Sequence, residues 1–264
     1  MSNPTKSSSE GTDPNFATTL AHGLALLAAF DSSGAALGNA DLATLVGLSR
    51  PTVSRLCATL ETLGYLKRDS RGRFKPGVKV LKVAYPVLAG LKIRQLARPM
   101  LREFAAYTGA TVSIVMPLGL ECIYVETVRT KDVSSHVPET GFTIPAMPTA
   151  VGRALLSLYT DDELQAFYND ASAVQPEAFN QFRPHIEAGI GHCRTARFCV
   201  SLGEWRSEIF GVASPLLRTA NGDCLAVNCG IPAYRFTARE VEQECGPRLA
   251  ALAASIRVLA EADN

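Results

Sequence analysis

Gly47-Leu48-Ser49-Arg50-Pro51-Thr52-Val53-Ser54-Arg55-Leu56, running on through Leu60, Leu63 and Gly64 to Tyr65-Leu66, is the stretch whose reading decides the fold. Ser49 is a helix-capping residue, and Pro51 falls in the first turn, where its missing N–H leaves no bond unmade. Val53, Leu56, Leu60 and Leu63 recur at helical spacing as one apolar stripe. Gly64 is placed to end the helix in a left-handed conformation. The opposite face carries Arg50, Thr52, Ser54, Arg55 and Thr59, with just two charges, both positive. A face of that composition is shaped to meet an anion.

Upstream, Asn39-Ala40-Asp41-Leu42-Ala43-Thr44-Leu45-Val46 reads as a shorter helix capped by Asn39 and stopped by Gly47. Two short helices joined at Gly47-Leu48-Ser49 predict a helix-turn-helix, whose second member lies in the major groove. Downstream, Tyr65-Leu66-Lys67-Arg68 and Arg73-Phe74-Lys75 flank Asp69-Ser70-Arg71-Gly72, a hairpin with a basic tip, the wing of a winged helix. A ligand-free helical bundle capped by a hairpin has the same pattern, but not the same charge. Residues 50–82 hold nine Lys or Arg against Glu61 and Asp69, a local net of +7 on a chain whose total is +1. A clustered basic patch on this motif is an electrostatic footprint for nucleic acid.

The chain's 264 residues leave room for one or two domains with a sizeable core. No apolar run reaches the roughly 18–20 residues of a membrane span. The Ser/Thr-rich start lacks the hydrophobic segment of a signal peptide, and 1–15 reads as a disordered tail. Seven cysteines (57, 122, 193, 199, 224, 229 and 245) without a CxxC pair fit a reduced, cytoplasmic setting. His192-Cys193 with Cys199 matches no common zinc spacing, so neither a metal nor a cofactor is expected. From Arg94 onward 15 basic residues face 19 acids. A basic N-terminal third before a mildly acidic remainder suggests two domains with different partners.

Phe16 to Phe30 reads as a first helix burying Leu20, Leu24 and Leu27, and Leu37 as packing on the helix-turn-helix. After the wing, Val80, Val83, Ala84, Val87, Leu88 and Leu91 form an apolar side of a linker helix that Pro86 should kink or interrupt. That stripe suits a connection between domains or a pairing surface in a dimer. Beyond it, helices are expected over Pro99–Tyr107 and Thr149–Leu158, after the box Thr160–Glu163, and from Thr237 to about Ala260. Strands are expected over Thr111–Met116, Cys122–Val128, Ile209–Ser214 and Cys224–Cys229, with 169–181 polar and irregular. The whole reads as α+β: a winged helix-turn-helix over 16–77, a linker helix over 78–94, and an effector domain over 95–264 with a mainly antiparallel sheet.

With these motifs in order, the chain resembles the IclR family of bacterial transcriptional regulators over nearly its whole length after Asn15. Ser49 to Leu56 and Leu60 to Leu66 look like the family's recognition helix, and Ala97-Arg98-Pro99-Met100-Leu101 like the start of its effector domain. Ile144 to Ala154 is similar to its most specific internal motif, and Ile209 to Pro215 and Ala226 to Gly230 complete the set. The resemblance implies a GAF-like effector domain, homodimers or homotetramers, and repression or activation of neighbouring operons. It carries ligand contacts onto Ala150 and Val151, through backbone N–H, and onto Gly211, Val227 and Cys229. Family members often carry His where Met147 stands, a small polar or thiol group where Gly211 stands, and can carry Ser where Val227 stands.

Apolar Met147, Val151 and Val227 suggest a hydrophobic effector, and Tyr124, Phe142, Trp205 and Phe210 are candidate stacking walls. A helix start near Thr149 favours a carboxylate, which together point to an aromatic or similarly sized organic acid. On DNA, Ser49, Arg50, Pro51, Thr52, Ser54, Arg55 and Thr59 are the helix candidates, with Arg68, Arg71 and Arg73 in the wing. Arginine is the commonest guanine reader, wing cations suit phosphates or a minor groove, and a two-fold dimer asks for a near-palindromic operator. Two rival classes are a ligand-independent DNA-binding protein and a cysteine-dependent enzyme. The enzyme reading lacks GxSxG, HExxH or a phosphate-binding glycine loop, and no membrane partner is expected.

Overall fold

The computed structural model describes residues 15–30, 34–130 and 139–262. The chain divides into two compact units at Gly90/Leu91, inside the segment expected to link them. The tail expected over 1–15 lies outside the described residues up to position 14.

The first unit grows from α1 (Thr18–Ala28), α2 (Asn39–Val46) and α3 (Arg50–Thr62). Ser49 caps α3, its Oγ accepting from Thr52 N at 3.4 Å, and Gly64 takes the left-handed φ of 81° that turns the chain out. Gly47 does the same after α2 at φ 67°. Asn39 is the first helical residue of α2 and not its cap: Gly38 occupies the cap position, and its N–H donates to Asp41 Oδ2 at 2.9 Å. Val53, Leu56 and Cys57 of α3 are buried with Leu26, Leu42, Leu66 and Phe74 as one core, which Leu37 and Leu60 flank.

Two expectations about that core fail. Leu63 is 49 % exposed at the C-cap, and Leu20 and Leu24 are exposed while Leu26 is fully buried. The face α1 turns to α2 and α3 is the one centred on Leu26, so periodicity found a stripe but not its orientation. The wing forms as expected: β1 (Leu66–Arg68) pairs antiparallel with β2 (Phe74–Pro76), and Leu37 adds a bridge to Phe74. Asp69 Oδ1 accepts from the N–H of Arg71 and Arg73, both at 2.9 Å, closing the wing turn. α4 (Lys79–Gly90) continues across Pro86, and no residue of it is buried.

The second unit opens with α5 (Ile93–Thr108), six residues earlier than the expected start at Pro99. Ile93, Ala97, Leu101, Phe104 and Ala105 bury one continuous face, which outweighs the hydrogen bond that Pro99 removes. A six-stranded sheet follows in the order β5-β4-β3-β8-β7-β6, every neighbour antiparallel. Its strands are β3 (Thr111–Leu118), β4 (Glu121–Val128), β5 (Thr143–Pro145), β6 (Cys199–Leu202), β7 (Ile209–Arg218) and β8 (Cys224–Pro232). Short β5 and β6, at the two edges, were absent from the sequence reading.

Helices α6 (Ala150–Leu156), α7 (Asp161–Val174) and α8 (Pro176–Ala196) cover one face. On the other lie α5 and the C-terminal run of α9 (Ala238–Glu240), a π turn (Val241–Cys245) and α10 (Gly246–Ala262). Both expected capping boxes form, at Thr160 with Glu163 and at Thr237 with Glu240. The stretch 169–181, expected to be irregular, is instead the junction of α7 and α8 at Gln175-Pro176. Phe167, Ala171, Phe179 and Ile186 are buried there and hold two helices whose exposed faces are polar.

Candidate DNA interface and effector site

The exposed side of the first unit separates side chains bound within the protein from those free to meet a ligand. The Ser49 and Thr52 hydroxyls hydrogen-bond each other at 2.9 Å, and Thr59 Oγ1 donates back to Arg55 O at 3.0 Å. Arg68 Nε pairs with Glu61 at 3.0 Å, Nη1 donates to Gly72 O at 3.0 Å, and the guanidinium lies 4.2 Å over the Phe74 ring. Arg68 is therefore a strut of the wing. Arg50, Ser54, Arg55 and Arg71 are exposed, and their side chains have no partner among the described residues, whereas Arg73, also exposed, acts electrostatically on Asp69. Pro51 is exposed in the first turn of α3 and fixes backbone there. Lys67 and Lys75 stand opposite each other on the wing strands, extending the positive charge.

In the second unit the polar floor of one sheet face meets the start of α6. Thr149 caps α6, its Oγ1 accepting from Gly152 N at 3.3 Å and donating to Pro145 O at 2.9 Å. Gly152 must be glycine, because a Cβ there would fall far inside contact with the Ala146 carbonyl. The N–H groups of Ala150 and Val151 are buried and make no hydrogen bond among the described residues. Opposite them, a Cβ on Gly211 would sit 3.5 Å from Ala150 Cβ and 3.9 Å from Ala150 N. Gly211 pairs in register with Gly230, where a Cβ would meet nothing within 4 Å.

Polar groups lie on the same face of the sheet. Asn228 Nδ2 donates to Tyr124 Oη at 3.1 Å, Ser113 and Thr127 share a hydrogen bond of 3.1 Å, and Ser201 Oγ donates to Pro148 O at 2.9 Å. Arg153, 3 % exposed, donates to Val200 O at 2.9 Å and pairs with Glu204 at 2.8 Å. Burial, reinforced by Cys122 beside it, keeps the Tyr124 phenol protonated far into alkaline pH.

Tyr124, Phe142, Met147, Ala150, Val151 and Trp205 belong to one apolar cluster on this face, with the Tyr124 and Phe142 rings edge-to-face at 6.0 Å. Thr149 and Gly211 join them. Val227 and Cys229 do not. Side chains alternate along a strand, and Cys229 Sγ lies 3.7 Å from Thr108 Oγ1 of α5, so these two face the opposite layer. Their neighbours Ala226 and Asn228 face α6. The polar residue inside the apolar run Cys224–Cys229 was the signal available for this. Sequence reasoning also passed over Ser113, Thr127, Ser201, Arg153 and Glu204, which only strand pairing brings together.

All seven cysteines are buried free thiols. Burial pushes Cys229 up to about 12 and Cys122 higher still. Hydrogen bonding with Cys193, and then burial, raises Cys199. Thiolate nucleophiles need the reverse shift. A separate cavity of about 340 Å³ lies by Met116, Leu120, Tyr159, Phe167, Asp170 and Cys224, and none of the candidate effector residues lines it.

A winged helix with an exposed basic face, joined to an antiparallel-sheet domain, defines the class of DNA-binding transcription regulators. The chain belongs to the IclR family. Residues 19–70 match the IclR helix-turn-helix domain, and residues 85–258 match the bacterial transcriptional regulator IclR C-terminal domain. Its structure is similar to an IclR family transcriptional regulator from Brucella abortus, with a TM-score of 0.85 and 31 % identity, covering 98 % of each chain. The p-hydroxybenzoate hydroxylase transcriptional activator of Acinetobacter baylyi is 28 % identical, over 84 % of this chain and 84 % of that protein. An IclR homologue from Microbacterium hydrocarbonoxydans, solved in complex with 4-hydroxybenzoate, shares the fold. Its TM-score is 0.70 at 15 % identity, covering 91 % of this chain and 99 % of that one. These relatives are regulators, and the chain is a transcriptional regulator and not an enzyme. Among the described residues no helix is long and apolar enough to cross a membrane.

Proposed function

We propose that operator binding by this regulator is controlled by a small organic acid with an aromatic ring, held between the start of α6 and the sheet. The observation that carries this reading is the pair of N–H groups of Ala150 and Val151, without a hydrogen-bond partner among the described residues and opposite Gly211 and Gly230, which present no side chain. A buried N–H without a partner is costly, and a carboxylate supplies two acceptors. Tyr124, Phe142, Met147 and Trp205 give the ring apolar surroundings, while Asn228, Ser113 and Thr127 offer partners for a ring substituent. The 4-hydroxybenzoate held by the Microbacterium homologue is an acid of this kind.

On DNA, Arg50, Ser54 and Arg55 read base edges in the major groove, and Arg71 and Arg73 of the wing meet phosphates. Two copies of the chain place two recognition helices on a near-palindromic site, and the acid favours one arrangement of that pair. Thermal-shift measurements with 4-hydroxybenzoate, benzoate, short aliphatic acids, sugars and amines test the ligand class, because a ligand bound only by the folded state raises the melting temperature. Aromatic acids are expected to give the largest rise. Stabilisation by sugars or amines alone would remove the proposal.

A further inference from the structure

The chain leaving the recognition helix and the chain entering α4 are fastened together at their crossing. Lys79, the first residue of α4, donates from Nζ to Leu63 O at 2.9 Å, at the C-cap of α3. The same ammonium lies 5.2 Å from the centre of the Tyr65 ring. Gly77 N donates to Tyr65 O at 2.7 Å. A Cβ on Gly77 would fall inside contact with the Gly64 carbonyl, and one on Gly64 would reach Lys79 Cδ at 3.7 Å. The two backbones therefore approach as closely as glycine allows.

Helix α4 buries none of its residues, and Val78, Leu81, Val83, Tyr85 and Val87 are exposed. The contacts described between α3 and α4 lie at its first turn. A cation on the last carbonyls of a helix is favourable, and the aromatic face beneath it adds to the hold. Burial contributes little, so one hydrogen bond is a large share of the joint.

We infer that Lys79 is a positioning residue that fixes the angle between α4 and the recognition helix, and thereby the half-site spacing a pair of chains accepts. The inference rests on the proposal that two copies read one near-palindromic site. Lys79 touches no base in this role. It acts through Leu63, by preventing α3 from swinging about Gly64, so a helix angle set along α4 reaches the groove unchanged.

The test uses the full chain and an operator that it selects from random duplex. Affinity is measured for that operator, for versions with one base pair added or removed between half-sites, and for an isolated half-site. Wild type should prefer the native spacing. Lys79→Met, which keeps the aliphatic stem over Tyr65, should bind the half-site like wild type and melt only slightly lower, by the loss of one exposed hydrogen bond. Its preference for native over altered spacing should fall roughly tenfold, the scale of one charge-assisted hydrogen bond. Lys79→Arg, which can still donate to the Leu63 carbonyl, should restore the preference. Gly77→Ala, which forces the backbones apart, should lose it too.

A Lys79→Met chain with wild-type spacing preference overturns the inference while the paired reading stands. Half-site affinity and melting temperature lost together would make Lys79 an ordinary stabilising residue, and would also overturn it. A wild type indifferent to spacing removes the paired reading, and the inference falls with it.

Discussion

Arg68 is held by Glu61, Nε lying 3.0 Å from Oε2, although it stands in the most basic stretch of the chain. The pair ties the wing strand β1 to the recognition helix and leaves Arg71 and Arg73 to supply charge at the wing. Each neutralised phosphate adds about 0.9 to the slope of log affinity against log salt. Arg71→Met should lower that slope by about one and weaken all duplexes alike, whereas Arg68→Met should leave it unchanged and lower the melting temperature. Binding titrations across a range of salt concentrations separate the two. Equal slopes lost by both variants would place Arg68 on the DNA.

Arg55 is exposed in the middle of α3, and its side chain has no partner among the described residues. Arg55→Ala should cost about 1–3 kcal/mol on operator DNA and relax the preference at one base position. Competition between operator and random duplex measures this. An equal loss on both would move Arg55 to the phosphate backbone.

At the proposed effector site Gly211 offers a test of size. A methyl there makes ordinary contact with Ala150 Cβ at 3.5 Å, so Gly211→Ala should fold normally, while Gly211→Leu should obstruct the start of α6 and abolish the thermal shift given by 4-hydroxybenzoate. A shift that survives Gly211→Leu would place the ligand elsewhere. Gly152→Ala is a different case. Its methyl would strike the Ala146 backbone, and denaturant unfolding should show a loss of about 1–3 kcal/mol, typical of overpacking.

Two hydrogen bonds from Arg218, at 2.6 and 2.7 Å, and then the Thr160 N–H hold Glu163 down at about 2. A carboxylate depressed by folding stabilises the fold above its unfolded value and loses that contribution as pH falls through the folded one. Arg218→Met should therefore melt below wild type at neutral pH, and the gap should close between about pH 5 and about pH 2. A gap independent of pH would show that Arg218 acts by packing alone.

Legibility in the sequence followed the range of the physics. The Ser49 cap, the Gly64 exit, the wing turn at Asp69 and the boxes at Thr160 and Thr237 are set by neighbours a few residues apart, and they were readable from residue types. Orientation was not. Leu20 and Leu24 have helical spacing, but only packing decides that Leu26 is the buried member of α1. Pro99 looked like a helix start because the apolar face that carries α5 through it is completed by the sheet. The candidate effector site suffered most, since Val227 and Cys229 are one residue out of phase with Ala226 and Asn228. A period of two turns such a slip into the wrong face of the sheet. Ser113, Thr127 and Asn228 lie far apart in sequence and meet only through strand register.

The central claim is that the free face of α3 reads a specific duplex sequence. Selection of genomic fragments by the full chain at low ionic strength, followed by sequencing, tests it most directly. The account predicts one enriched motif with two-fold symmetry, recovered by wild type and lost by Arg55→Ala. Fragments recovered in proportion to their abundance, with no shared motif, would contradict it.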